Sequence, residues 1–271
     1  MNAASPDTSL VITSNNDNLP GISPRPPSPP RNNATTANVI QTMAVIETMK
    51  YQESTSYRAL PYLDSAVVTE HDRSALCQWG LSFVDACNVD RKICSIAISY
   101  FDRFLSSRSS NIVPLCLADQ GDFQLAFITC LLIALKGREG VHVSTTFVSE
   151  KMCNGMYDSD EFNPMELEIL KALSWRLNGP IPQDFIQYFA QLLPVSTDES
   201  VVEMLVDEAT KNSEVALSNY AMALRAPSFI AFVAITTAIR SLDLDSLPHL
   251  DILGWWNLIG SVVHGNSVDS V

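Results

Sequence analysis

From Val45 onward apolar residues recur at three- and four-residue steps, and no alternating strand pattern persists. The spacing predicts a first helix over about 42–54, followed by Tyr57 and Tyr62, which Pro61 separates. A second, over about 69–87, puts Leu76, Trp79, Phe83 and Ala86 on one face. A third covers 93–107, where Ile93, Ile96, Ala97, Tyr100, Phe101, Phe104 and Leu105 fill one stripe. After a polar connection, Ser106–Asp122, the segment 123–136 is apolar almost all round, as expected of a rod surrounded by other helices. Shorter helices are predicted at about 144–153 and 162–174; the latter carries Met165, Ile169, Leu170 and Leu173, and Asn178-Gly179-Pro180 ends it.

A second unit opens at Pro182 with Phe185, Phe189, Leu192 and Leu193. Helices near 198–223 and 227–242 follow, with Pro227 in a favourable first-turn position. Leu125-Ala126-Phe127-Ile128 is echoed by Ile230-Ala231-Phe232-Val233, each at the head of an apolar helix. The echo points to two copies of one helical unit, although chance likeness of apolar helices gives the same pattern. Trp255-Trp256 reads as core of the second copy, or as a partner site if that copy is incomplete. The expected fold is all-α, with a tail over 1–40, one helical unit over 41–178 and a second over 179–271.

Charge breaks the third helix in one place. Asp102 and Arg103 interrupt its apolar stripe, and a buried charge needs a fixed partner. The first 40 or so residues are Pro, Ser, Asn and Thr with hardly any apolar pattern, a composition that favours disorder. Within them, Ser23-Pro24 and Ser28-Pro29-Pro30-Arg31 are candidate phosphorylation sites for proline-directed kinases; a plain Pro-rich linker explains the same residues equally well.

Composition narrows the function. Apolar residues make up 46% of the chain, glycines number only 10, and the formal charge is −13. Such an acidic chain is poorly suited to gripping nucleic-acid backbone and better suited to a protein partner. The six cysteines are scattered without a C-x-x-C pair, and the four histidines lack metal spacing, so neither a cofactor nor a metal is expected. Ser/His/Asp or Cys/His sets and phosphate loops are missing too, which argues against an enzyme. The run Leu125–Leu135 is too short to span a bilayer, and no signal-like segment opens the chain. An intracellular protein of nucleus or cytoplasm is the expectation.

The phrase Tyr100-Phe101-Asp102-Arg103-Phe104-Leu105 closely resembles the second-helix signature of the cyclin box. His71-Asp72-Arg73-Ser74-Ala75-Leu76-Cys77-Gln78-Trp79 looks like its first helix, and Leu132-Ile133-Ala134-Leu135-Lys136 like the end of its third. The stretch Met165–Trp175 resembles the fifth, and Pro180-Ile181-Pro182-Gln183-Asp184-Phe185 the junction to a second repeat. The likeness covers residues 71–186 in order and is nearest to mitotic and D-type cyclins. It implies two tandem repeats of about five helices each, the second of open completeness.

Arg73, Asp102, Leu125, Lys136 and Glu166 stand at positions that recur throughout that family. The resemblance makes Arg73 and Asp102 an internal brace, with Leu125 as structural support. It makes Lys136 and Glu166 the pair that hydrogen-bonds main chain beside a kinase's regulatory helix. Beside the resemblance, the apolar residues Phe147, Val148, Met152 and Ile169 are candidates for the packing that accompanies these two polar anchors. The implied role is a regulatory subunit that holds the helix of a cyclin-dependent kinase inward and so shifts the kinase to its active state. Kinase substrates or inhibitors are further implied partners.

There are departures from the family pattern. Lys136 is followed by Gly137-Arg138-Glu139, without the usual aromatic. Asp72 replaces an expected Met, which puts in doubt a substrate-docking patch of Ala75, Leu76 and Trp79. A second class of function, a cyclin-fold transcription-associated protein, would call for a basic surface and often a zinc ribbon.

Overall fold

The computed structural model describes residues 36–64, 67–137, 148–153, 155–194, 197–242 and 252–264, except the side chains of 36, 151, 152, 252, 253 and 264. Helices account for all regular structure among them: α1 (Thr36–Ser54), α2 (Glu70–Ala86), α3 (Lys92–Leu105), α4 (Val113–Ala118) and α5 (Gln120–Lys136). A π-helical turn at Val148–Met152 and α6 (Ser159–Ala172) complete the first half. The second contains α7 (Pro182–Gln191), α8 (Glu199–Ser218), a single turn α9 (Tyr220–Ala223), α10 (Pro227–Ser241) and α11 (Ile252–His264). The all-α architecture expected from the periodicity is what the chain adopts.

Two apolar clusters organise these helices. In the first, α5 is the rod: every residue from Leu125 to Leu135 is buried, and α3 packs along it. Phe101 meets Phe123 and Phe127 edge-on at 5.0 and 5.2 Å, and Trp79 meets Phe127 edge-on at 6.4 Å. Such aromatic pairs contribute beyond the area they bury. In the second cluster α10 is the rod, contributing Ala231, Ala234, Ile235, Ala238 and Ile239 against α7 and α8. The echoed tetrapeptides therefore head the two central helices. Trp255 is buried in this cluster and donates its indole N–H to the Phe189 carbonyl at 3.1 Å.

Gly80 lies where α2 crosses α3 and α5. A Cβ there would come within 2.9 Å of Cys94 Sγ and 3.0 Å of the Phe127 ring. Gly80→Ala is expected to cost about 1–3 kcal/mol through overpacking, seen as a lower urea midpoint with an unchanged slope.

Some boundaries differ from the predicted ones, each for a local reason. The polar connection contains α4, a six-residue helix with Pro114 in its first turn, too short for a periodic pattern to register. Helix α6 starts earlier than its apolar residues do, because Glu161 accepts from the Asp158 backbone N–H at 2.7 Å. It also stops earlier: Ser174 and Trp175 take φ of 52° and 58°, and their N–H groups close onto Lys171 and Leu170 carbonyls in a Schellman ending without glycine.

Helix α1 departs further from expectation. Chain order puts it with the first repeat, yet Ile46 and Met49 are buried in the second cluster. Thr42 Oγ1 donates to Gln191 of α7 at 3.2 Å, and Lys50 Nζ donates to the Val262 and Val263 carbonyls of α11. Glu53 accepts from both the backbone N–H and the hydroxyl of Ser228, at 2.9 and 2.5 Å. The sequence shows α1's apolar residues but not which cluster they cover.

Burial raises the carboxyl of Glu53 above its ordinary 4.5, against the hydrogen bonds from Ser228. Burial does the same to Glu214, which is bonded to Arg91. A carboxyl with a raised folded-state pKa binds a proton in the native state where the unfolded chain has released it. Stability therefore falls as pH rises from the ordinary carboxylate value through the raised one. Glu53→Gln, which keeps an acceptor for Ser228, is expected to flatten that fall when urea midpoints are compared between pH 5 and pH 7.

Candidate functional site

Arg73 and Asp102 form a closed polar centre. Arg73 is fully buried on α2, and its Nε and Nη2 donate to the two Asp102 oxygens at 2.8 and 2.7 Å. The Tyr62 hydroxyl adds a third donor to Asp102 at 2.7 Å. Burial alone would lower the Arg73 guanidinium, but the bidentate carboxylate offsets this and holds it well above its ordinary value. Burial, then the Asp102 charge, keeps the Tyr62 phenol well above its usual range.

The brace reaches further than α2 and α3. Arg73 Nη1 donates to the Leu217 and Ser218 carbonyls at 2.9 and 3.4 Å, at the C-terminal end of α8. A cation there satisfies carbonyls that the helix leaves open and complements its dipole. The Tyr220 hydroxyl accepts from the Tyr62 and Leu63 backbone N–H groups, at 2.7 and 3.1 Å. One guanidinium thus ties α2 and α3 to the end of α8, and Arg73, Asp102, Tyr62 and Tyr220 are all buried.

Lys136 and Glu166 lie on the surface instead. Lys136 occupies the last turn of α5, where a cation suits the helix end, and Glu166 sits mid-way along α6. Their side chains meet at 2.6 Å, with Lys136 37% and Glu166 18% exposed. Two oppositely charged groups from different helices are therefore held side by side, both within reach of an approaching partner.

The accompanying apolar residues separate. Val148 and Ile169 are fully buried in the first cluster and cannot form a partner-facing surface in this arrangement. Both lie on stripes that periodicity marks as apolar, and periodicity does not tell a core stripe from an interface stripe. Phe147 and the Met152 side chain lie outside the described residues, as do Ser23 and Ser28. The exposed apolar residue next to Glu166 is Leu167, at 45%. Leu125 is a core residue, 5% exposed.

The docking patch is not displayed as a patch. Leu76 and Trp79 turn into the first cluster at 3% and 7% exposure, and only Ala75 stays outside. Trp79 stacks on Phe83. Asp72, the residue that departs from the family pattern, acts locally. Its carboxylate accepts from the Thr69 N–H and hydroxyl at 2.8 and 2.7 Å, capping α2. Arg103, singled out by its place in the apolar stripe, is buried under Tyr57 and donates to the Arg176 carbonyl at 2.8 Å.

A family model described as the N-terminal domain of cyclins matches residues 40–178. The chain belongs to the cyclin family. Among curated relatives it is 26% identical over 217 residues to the G1/S-specific cyclin-D1 of Xenopus laevis, a span of 78% of this chain and 68% of that one. It is also 26% identical over 178 residues to the G1/S-specific cyclin-D2 of Gallus gallus, covering 64% of this chain and 56% of the relative. The matched region thus spans between about half and two thirds of these relatives. The fold is similar to that of a viral cyclin from herpesvirus saimiri, with a TM-score of 0.56 at 19% identity, over 81% of this chain and 95% of that one.

Proposed function

We propose that this cyclin is a regulatory subunit that binds and activates a cyclin-dependent protein kinase in cell-cycle control. The observation that carries the reading is the pairing of Lys136 with Glu166 on the surface. In isolation the two groups satisfy each other. Facing a kinase, the ammonium can donate to main-chain carbonyls and the carboxylate can accept from main-chain N–H groups, so that one partner backbone replaces the mutual pair. Charge-assisted bonds to backbone are directional, and they fix the register of the surface they hold.

Activation on this reading needs no chemistry from the cyclin. The pair and the adjoining Leu167 hold the kinase's regulatory helix in the inward position, and the conformational equilibrium shifts by the difference in affinity between the two kinase states. The likeness to cyclins designated G1/S-specific supports a cell-cycle role. A substrate-recruiting function of the first helix has less support, because Leu76 and Trp79 are enclosed.

Affinity capture of kinases by the folded chain, followed by a phosphorylation assay, tests the proposal. A co-purifying kinase whose activity rises with added chain is the expected result. A folded, monomeric chain that captures and stimulates no member of a cyclin-dependent kinase panel overturns it.

A further inference from the structure

Where the two repeats face each other, a cleft of about 360 Å³ opens between the end of α1, α3, the 180–182 junction and the α9–α10 turn. Three arginines line it: Arg58, Arg103 and Arg225. They are three of only 17 basic residues in a chain with 30 acidic ones. Arg58 and Arg225 are exposed, and no carboxylate among the described residues engages either.

Arg103 is the unusual member. It is only 7% exposed; Nη2 is used by the Arg176 carbonyl and the Tyr57 ring lies 4.7 Å from the guanidinium carbon, but Nη1 has no hydrogen-bond partner among the described residues. Two carboxylates share the cleft wall, and both are spent elsewhere: Asp102 on Arg73 and Tyr62, Glu53 on Ser228. The cation is left without a counter-charge, and burial pulls its guanidinium below the ordinary value. A buried, uncompensated charge is costly to keep, so the arrangement asks for an anion from outside the chain.

The cleft also indicates what carries the anion. Its volume lies at the small end of ligand pockets and exceeds what one oxyanion fills. Ile98, Pro180, Pro182 and Leu224 add apolar wall beside the arginines, suited to residues flanking a charged group. A single carboxylate leaves two of the three guanidiniums unanswered, whereas a phosphoryl group brings nearly two charges and three acceptor oxygens. We propose that the cleft between the repeats binds a phosphoserine or phosphothreonine of a partner polypeptide, with Arg103 as the buried anchor and Arg58 and Arg225 on the rim. The site shares no residue with the Lys136–Glu166 pair and does not depend on that pair's role.

The test is retention of the fluorescently labelled full chain on an array of peptides with fixed phosphoserine and randomised flanks. The same peptides with serine or glutamate at the fixed position, and inorganic phosphate as competitor, form the other arms. Selected phosphopeptides are expected to hold the wild type at least tenfold better than either counterpart, with millimolar phosphate competing. Arg103→Met is expected to lose that preference. Because Arg103 is packed in the structure, the exposed double variant Arg58→Gln/Arg225→Gln provides a second reading and should weaken retention several-fold with an unchanged melting temperature. Lys136→Ala/Glu166→Ala should leave retention as it is. Equal retention of serine, glutamate and phosphoserine peptides, or indifference to the Arg58/Arg225 change, overturns the proposal. So does stabilisation by inorganic phosphate without any peptide preference, which would mark a free-phosphate site.

Discussion

Arg73→Ala is expected to destabilise the fold by about 3–5 kcal/mol, the usual cost of leaving one member of a buried ion pair alone. The variant strands Asp102, 3% exposed, with only the Tyr62 hydroxyl to answer its charge. It also frees the Leu217 and Ser218 carbonyls at the end of α8. At roughly 2–4 °C per kcal/mol for a chain of this size, the melting temperature should fall by about 10 °C. Asp102→Asn should cost less, since its side chain still offers one acceptor to Arg73. Replacing both charges with apolar groups of similar volume should recover much of the loss, because the desolvation of the pair then disappears with its attraction. Urea titrations of the singles and the double check the sequence of effects. If Arg73→Ala matched the wild type, the pair would have no bracing role.

The Lys136→Ala/Glu166→Ala double is expected to behave in the opposite way. Its two side chains form a partly exposed pair, a class worth about 0–1 kcal/mol, so its melting temperature should stay near that of the wild type. If the pair meets kinase backbone as proposed, both anchors vanish from an interface that desolvates them. Losses of about 2–5 kcal/mol per truncated group are usual there, so affinity should drop on the order of 100-fold or more. The companion control is Lys171→Ala/Glu168→Ala, a pair lying wholly on α6 with side chains 2.9 Å apart. It should bind kinase as the wild type does. Biolayer interferometry of the three proteins against one kinase separates the cases, and equal affinities for all of them would sink the assignment.

Much of the architecture is legible in the sequence. Helical periodicity locates the main helices because their apolar stripes are long, and the all-round apolar character of 123–136 identifies its burial. Family likeness pairs Arg73 with Asp102, and the awkward charge in the α3 stripe is the physical clue beside it. The brace's reach to α8 is not legible, because nothing in Leu217 or Ser218 announces a carbonyl as an acceptor. Val148 and Ile169 suggest interface by their apolar character and prove to be core, since an apolar residue looks the same in either setting. Arg103 draws notice for its position, while its spare donor emerges only once Tyr57 and Arg176 are folded against it.

The placement of α1 has a bearing on how the chain is made. The helix leaves the ribosome before every other described one, yet its seats are on α7, α10 and α11, and Lys50 reaches the carbonyls of Val262 and Val263. During synthesis it must wait, with Ile46 and Met49 uncovered, until α7, α10 and α11 have emerged. Helices α2 to α6 can collapse around α5 in the meantime, largely through contacts close in sequence. Closure of α1 over the second cluster is then a late, long-range step, and a ribosome stalled before α11 would present a nascent chain with its first helix still without a seat.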